Sequence, residues 1–387
     1  MFKLNSEEKM KICFFGNLQT IHMQRWAKSF IDKGHEVHII TREPSEIADV
    51  HVHVFISHSV SSFFYKIPII ARLFYSLHIY FEINRLKKLI NKINPDLINA
   101  HYLTDYGILA SKLNFHPLVI TCWGSDILIA PAKFGEKHVK EMRGSLSNAD
   151  KILVESNYMK KEIEKFGITE EKIILNPCGV DTNMFNPKAK SIDLRKLHDL
   201  GDGPVLITTR NLEDIYNQSC LLKAIPIVKK RHPKVNLLVA GNGSKKDELE
   251  KIVKELKIKE NVRFLEFIDH HKLPSYLVSS NIYISTALSE GIGKSNLEAL
   301  SCGIITIVID LPVVHEYITS GITGFIVNNN PDELAERIID CIDNSVKYKQ
   351  LLPKNSIRLV NERYNWSKNI DEIEELYCEL AKNSHSL

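Results

Sequence analysis

Apolar residues in this chain come in short unbroken runs, separated by amphipathic stretches and punctuated by glycine. Lys11-Ile-Cys-Phe-Phe-Gly16 is such a run and reads as a strand buried on both faces. Met23 to Lys33 then shows helical spacing, Gly34 stops it, and Glu36-Val-His-Ile-Ile-Thr41 supplies the next strand. Strand, helix and strand within about 30 residues predict a βαβ unit, the start of a parallel sheet with helices on both faces. Asp96 to Ala100, Pro117 to Cys122, Lys151 to Glu155 and Lys172 to Asn176 continue as buried strands.

After the Pro- and Asn-containing stretch Asn183 to Gly203, the pattern restarts with the strand Pro204 to Thr209, a helix around Ser219 to Lys230, and the strand Val235 to Ala240. Asn261 to Leu265, Ile282 to Leu288 and Ile304 to Ile309 follow, with helical segments between them. A chain of 387 residues is too long for one ordinary core. The prediction is an α/β chain of two Rossmann-like domains whose facing parallel sheets leave a cleft at their strand ends, where open α/β sheets bind ligands.

Composition narrows the class. Hydrophobic content of 44% and charged content of 25% are those of a soluble globular protein, and a net charge of +3 is too small to indicate nucleic acid. The seven cysteines are scattered and form no Cys-x-x-Cys pair, which argues against a zinc cage or disulfide framework and for a reducing cytoplasm. The polar N-terminus lacks a signal-peptide core, and no run reaches the roughly 18 apolar residues of a membrane span.

One segment stands out on that background. Phe63 to Lys88 holds seven aromatics together with Lys66, Arg72, Arg85, Lys87 and Lys88, Lys92 follows, and Glu82 is the sole acid. Ile70, Leu73, Phe74, Leu77 and Phe81 form an apolar stripe at helical spacing. Ordinary packing against the first sheet is one reading. The other is a peripheral helix over residues 63–92 that lies on an anionic membrane surface or receives a lipid-linked acceptor.

The chemistry concentrates in Glu290-Gly-Ile-Gly-Lys-Ser-Asn-Leu-Glu298, directly after the run Ile282 to Leu288. The run reads as a buried strand, the glycines as a turn, and Ser295 onward as a helix start. Two carboxylates thereby flank a loop whose backbone N–H groups and helix dipole favour a phosphate. Ser295-Asn-Leu-Glu298 also fits a capping box, in which Glu298 would return to the Ser295 N–H.

With that loop in a second Rossmann-like domain, the chain resembles the family 4 (group 1) glycosyltransferases. Leu288 to Gly303 is similar to that family's Glu-x7-Glu signature, and Lys172 to Phe185 to the segment that closes its first domain. Val239 to Gly243, Trp123-Gly-Ser-Asp126 and Ile21-His-Met-Gln-Arg-Trp26 are further similarities in the family's order. The resemblance implies the GT-B architecture, with an acceptor domain over residues 1–185, a donor domain over 186–366, and a C-terminal helix from about 367 to 387 crossing back to the first.

It also implies transfer of a sugar from a nucleoside-diphosphate sugar, with retention at the anomeric carbon and no metal or cofactor. The acceptor class it implies is a saccharide or lipid-linked molecule, in cell-envelope or surface polysaccharide synthesis. Glu290 matches the family's acid beside the donor sugar, Arg210 its diphosphate-binding arginine, and His101 a histidine facing the sugar. Glu298 matches the ribose ligand, a role suited to a carboxylate that accepts two hydrogen bonds.

Gly16, Gly291, Gly293, Lys294, Ser295, Asn296, Asp126, Phe267 and Ile268 fall at donor-binding positions, and His22 and Arg25 at acceptor or phosphate positions. A lysine normally follows the family's arginine, whereas this chain reads Arg210-Asn-Leu-Glu-Asp-Ile-Tyr216. Lys294 is the expected substitute for that charge. The missing lysine leaves open a second reading, a non-catalytic sugar-nucleotide-binding or scaffolding subunit. A dinucleotide-dependent oxidoreductase ranks last, because no Gly-x-Gly-x-x-Gly follows the first strand.

Overall fold

The computed structural model describes residues 9–43, 45–55 and 68–384, with 68–79 described by backbone alone. It divides into two compact units. One comprises Met1–Glu155, Met159–Asn176 and Ile370–Leu387, the other Ser156–Tyr158 and Pro177–Asn369.

The first unit is built on seven strands: β1 (Lys11–Phe15), β2 (Glu36–Thr41), β3 (His51–Val54), β4 (Leu97–His101), β5 (Leu118–Thr121), β6 (Lys151–Val154) and β7 (Ile173–Leu175). Their order is β3-β2-β1-β4-β5-β6-β7, all pairs parallel. Four of the five β1 residues and all of β4 are buried, as expected of strands covered on both faces. Helix α1 (Ile21–Asp32) is capped by Thr20 Oγ1, which accepts from Met23 N at 3.3 Å, and it buries Met23, Trp26, Ala27 and Phe30. That spacing lays one stripe on the sheet, and Gly34 at φ 90° ends the helix as only glycine does without strain.

The second unit carries β8 (Val205–Thr208), β9 (Asn236–Ala240), β10 (Val262–Leu265), β11 (Ile282–Ser285), β12 (Ile305–Ile309) and β13 (Phe325–Val327). The order is β10-β9-β8-β11-β12-β13, again parallel. Alternate residues feed two cores: Leu206, Ile282, Ile284 and Ile307 on one face, and Ile207, Tyr283 and Val308 on the other. Each fully buried aliphatic side chain contributes about 1.5–3 kcal/mol.

The strands β3 and β13 were not expected from sequence. β3 is a sheet edge whose His-Val-His-Val run is half exposed, and β13 has three residues, too short to show a period. The expected domain boundary after 185 lies inside the second unit, because Val180 N donates to Tyr364 O at 2.7 Å and Trp366 N to Val180 O at 2.9 Å. Residues from Ile370 of the last helix, Trp366–Ser384, belong to the first unit. There Tyr377 stacks on Phe30 at 5.2 Å, and Glu374 receives Lys33 and His35, each at 2.7 Å.

Helix α2 (Pro68–Ile93) covers much of the basic aromatic segment. Its C-terminal half buries Leu86, Ile90 and Ile93, while Tyr80, Phe81, Arg85, Lys87, Lys88 and Lys92 are exposed. Phe81, expected on the apolar stripe with Ile70, Leu73, Phe74 and Leu77, is 67% exposed. The other four side chains and residues 63–67 lie outside the described part. Among the described residues no helix is long and apolar enough to cross a membrane.

Candidate active site

In a doubly wound sheet, ligands bind beyond the carboxyl ends of the strands, where the strand order reverses. The second unit reverses between β8 and β11. Arg210 follows β8 by two residues and the Glu290–Glu298 segment follows β11, so both arrive at one switch point.

There the chain starts helix α3 (Lys294–Ser301) from Gly293, the N-cap, at φ 75° and ψ 59°. A Cβ on Gly293 would lie 2.7 Å from Asn296 Nδ2 and 2.8 Å from Tyr317 OH, so both conformation and space require glycine here. Gly291 is buried beside it. The capping box does not form: no side chain caps this helix, and Ser295 is its second residue. Glu298 Oε1 instead meets His270 Nε2 at 2.9 Å.

Arg210 donates through Nη2 to Glu290 Oε1 and through Nη1 to Ser295 Oγ, and its guanidinium lies over the Tyr216 ring, 4.3 Å from the centroid. Both charged side chains are about nine-tenths buried (11% and 10% exposed). Burial pushes the Glu290 carboxyl up, and Arg210 pulls it back down. Burial also opposes the Arg210 charge, but Glu290, Tyr283 and Tyr216 outweigh it and hold the arginine firmly protonated. Tyr283 OH donates to Ser295 Oγ at 2.9 Å, and Asn296 Nδ2 to Tyr317 OH at 2.9 Å.

The 241–243 loop supports this arrangement from below. Leu212 N donates to Asn242 O at 3.0 Å. A Cβ on Gly241, at φ 142°, would come within 2.5 Å of the Arg210 carbonyl oxygen. Gln218 Nε2 bonds that carbonyl at 3.4 Å. Lys294 is the first residue of α3, partly exposed. Phe267 is 69% exposed after β10, and Ile268 packs on the core.

The first unit reverses between β1 and β4. Gly16 follows β1, and its N–H donates to Ile40 O at 3.1 Å. A Cβ there would sit 2.6 Å from Met23 Sδ and 3.5 Å from His101 Cβ. His101 ends β4 and is 4% exposed. Its ring meets Trp26 edge-on at 4.8 Å and lies nearly parallel to Trp123 at 5.6 Å. His22 stacks on Trp123 at 5.3 Å, and Arg25 lies three residues on in α1, partly buried.

Behind His101 the backbone is strained. Tyr102 stands at φ 78°, a conformation that residues other than glycine rarely adopt. Its N–H donates to Thr121 O at 2.9 Å, and its hydroxyl meets Ser125 Oγ at 2.8 Å. Asp126 holds the two loops together: Oδ2 accepts from Leu103 N at 2.9 Å, and Oδ1 from Trp123 N and Gly124 N at 3.0 and 2.9 Å. Burial pushes its carboxyl up to about 6, opposed by those backbone donors. Expected as a donor contact, Asp126 is fully buried with both oxygens engaged, and it acts here as a brace for His101 and Trp123.

Sequence reasoning did not single out Trp26, Tyr216, His270, Tyr283 or Tyr317 as site residues. His270 had a usable signal, Asp269-His-His271 placed just after a strand. Tyr283 and Tyr317 are fully buried and read as plain core.

Residues 190–384 match the family model of the group 1 glycosyl transferases, and residues 11–156 that of the glycosyl transferase 4-like proteins. A phosphatidylinositol N-acetylglucosaminyltransferase GPI3 subunit of Saccharomyces cerevisiae is 23% identical over 241 residues, 62% of this chain and 53% of that one. The chain thus spans about half the length of that yeast subunit. A GDP-mannose-dependent alpha-(1-6)-phosphatidylinositol monomannoside mannosyltransferase of Mycolicibacterium smegmatis is 27% identical over 256 residues, 63% of this chain and 66% of that one. The structure of HepE from Anabaena, in complex with UDP and glucose, shares the fold at a TM-score of 0.78 and 19% identity, covering 96% of this chain and all of that one. The group 1 match takes in half of the 387 residues, including the whole Arg210 to Glu298 switch point, and the chain therefore belongs to the group 1 glycosyltransferases, with the α/β sheets of the GT-B fold.

Proposed function

We propose that this protein is a retaining hexosyltransferase that moves a sugar from a nucleoside-diphosphate sugar to a lipid-linked or saccharide acceptor in cell-envelope or surface polysaccharide synthesis. The observation that carries the reading is Arg210, a buried cation held by Glu290 and Ser295 at the amino end of α3. Transfer breaks the bond between the anomeric carbon and the diphosphate, forms one to an acceptor oxygen, and releases the nucleoside diphosphate and a proton. Charge accumulates on the leaving diphosphate, so a preorganised cation and helix N-terminus lower the barrier there.

In this reading Arg210 and the 291–296 loop receive the diphosphate, with Lys294 supplying the second positive charge. Glu298 accepts the ribose hydroxyls, the exposed Phe267 and its neighbour Ile268 border the base, and Glu290 stands beside the donor sugar. Within the first unit, Gly16 and His101 are assigned to sugar and phosphate contacts, and His22 and Arg25 to the acceptor. The names of the yeast and mycobacterial relatives, both acting on phosphatidylinositol derivatives, favour a lipid-linked acceptor. So does the exposed row Tyr80, Phe81, Arg85, Lys88 and Lys92 on α2, which fits an anionic bilayer. No metal takes part in the reaction.

The second reading, a subunit that binds sugar nucleotides without turnover, draws on the absence of a basic residue directly after Arg210. A thermal-shift screen with nucleoside diphosphates, followed by nucleotide release from the matching sugars, separates the two. Release that continues in a chelator supports the transferase as written. Binding without release, with any acceptor class, favours the subunit.

A further inference from the structure

The edge of the first sheet carries a cluster that the sugar-transfer site does not use. β2 reads Glu36-Val-His38 and β3 reads His51-Val-His53, and strand alternation puts those four side chains on one face. Parallel pairing sets His38 beside His51 and Ile40 beside His53. His38 Nε2 lies 2.9 Å from Glu36 Oε1, and His38 Nδ1 lies 3.0 Å from His53 Nε2. The His51 ring stacks on that of His38 with centroids 4.6 Å apart.

One ligating atom each from Glu36, His38 and His51 falls within 4.8 Å of the others. A central ion with nitrogen and oxygen bonds of about 2.0–2.2 Å draws three such atoms together with small side-chain movements. We propose that Glu36, His38 and His51 bind a divalent transition ion of the zinc class, with water in the fourth position. The donor set fits, since imidazole with carboxylate suits zinc and its neighbours. His53 supplies the outer partner: accepting from His38 Nδ1–H, it fixes the tautomer that turns Nε2 to the ion.

The burial pattern fits as well. His38 is 8% exposed, anchored in the sheet, whereas His51 is exposed and gives the ion its way in. Lys11 Nζ stands 3.6 Å from the same Glu36 oxygen and holds that carboxylate when no ion is bound. The cluster occupies the amino-terminal half of β2 and β3, whereas Gly16 and His101 lie at the carboxyl ends of β1 and β4. The ion is therefore a staple that ties the short strand β3 to β2, where, among the described residues, one side of β3 has no strand partner.

The test uses the full chain, stripped with a chelator, exchanged into buffer and titrated with Zn²⁺ by calorimetry and with Co²⁺ by visible spectroscopy. One ion per chain is expected, with Co²⁺ bands of a low-coordinate site. Because replacing the buried His38 risks the fold, the test variants are His51→Gln and Glu36→Gln, which keep the melting temperature of the stripped protein. Each should bind at least ~10-fold more weakly, and His53→Phe ~10-fold more weakly. No uptake by the stripped chain, or binding unchanged in both His51→Gln and Glu36→Gln, overturns the proposal.

Discussion

Arg210 and Glu290, 80 positions apart in the chain, form a buried ion pair at the ends of adjacent parallel strands. In the proposed reaction, the acid thereby orients the cation that meets the diphosphate. Removing one member of a buried pair leaves an uncompensated charge, at a cost of about 3–5 kcal/mol, whereas replacing both by apolar groups is often close to neutral. Arg210→Met should therefore destabilise the protein by about 3 kcal/mol, and Arg210→Met/Glu290→Met by clearly less. Both should lose turnover. Urea unfolding with nucleotide-release assays checks this, and a cost below ~1 kcal/mol for the single variant would show that Glu290 does not depend on Arg210.

Glu298 gives a prediction at the level of single hydroxyls. Hydrogen bonds to a charged acceptor contribute about 1.5–3 kcal/mol each, so Glu298→Ala should weaken nucleoside-diphosphate binding by about 10- to 100-fold. The 2′-deoxy nucleotide should bind the parent protein more weakly than the ribonucleotide, and the two should bind Glu298→Ala equally. His270, which meets Glu298 at 2.9 Å, positions that carboxylate, so His270→Ala should reduce the ribose preference by less. Calorimetry with the paired nucleotides reads all of these. A ribose preference that survives in Glu298→Ala removes the residue from that role.

The sheets were legible because their strands are buried on both faces, which leaves unbroken apolar runs such as Leu237–Ala240. The Glu290–Glu298 loop was legible because it joins a strand to a helix across two glycines. What sequence did not show was which partner each polar group would take. Ser295-x-x-Glu298 reads as a cap in one dimension, yet Gly293 takes the cap position two residues earlier and frees Ser295 for Arg210. Tyr283 and Tyr317 look like core residues, and only their hydroxyl partners, 12 to 21 positions away, show that they brace the loop. The imidazole cluster was hidden for a related reason: it depends on the register of an edge strand too exposed to read as a strand.

Gly293 offers a test of that loop's geometry. Its φ of 75° alone costs a side-chain-bearing residue about 1–2 kcal/mol, and an added Cβ would also press on Asn296 and Tyr317. Gly321 is the control, since it has φ 80° but nothing within 4 Å of where a Cβ would stand. Gly293→Ala should therefore lower stability more than Gly321→Ala and should weaken nucleotide binding, which Gly321→Ala should leave intact. Equal losses in thermal melts of the two variants would mean that the loop relaxes around the methyl group.

Asp126 sets a pH dependence on the first unit. Burial raises its folded value to about 6, against about 3.9 in an unfolded chain. Below about pH 4 the group is protonated in both states and contributes no penalty. Between about pH 4 and 6 the folded protein keeps a proton that the unfolded chain has released, so stability falls as pH rises and levels off above about 6, at a total of about 3 kcal/mol. Asp126→Asn carries no such proton, so the stability difference between parent and variant should change by about that amount across the window. Its amide group would also face one of the backbone N–H donors that the carboxylate accepts, placing the variant below the parent where the strained turn at Tyr102 must be held. Urea melts from about pH 4 to 7, followed by the tryptophan fluorescence of a Trp366→Phe background that leaves Trp26 and Trp123 as reporters, read this. A parent-minus-variant difference that stays flat over that range would mean that Asp126 is ionised in the folded protein throughout.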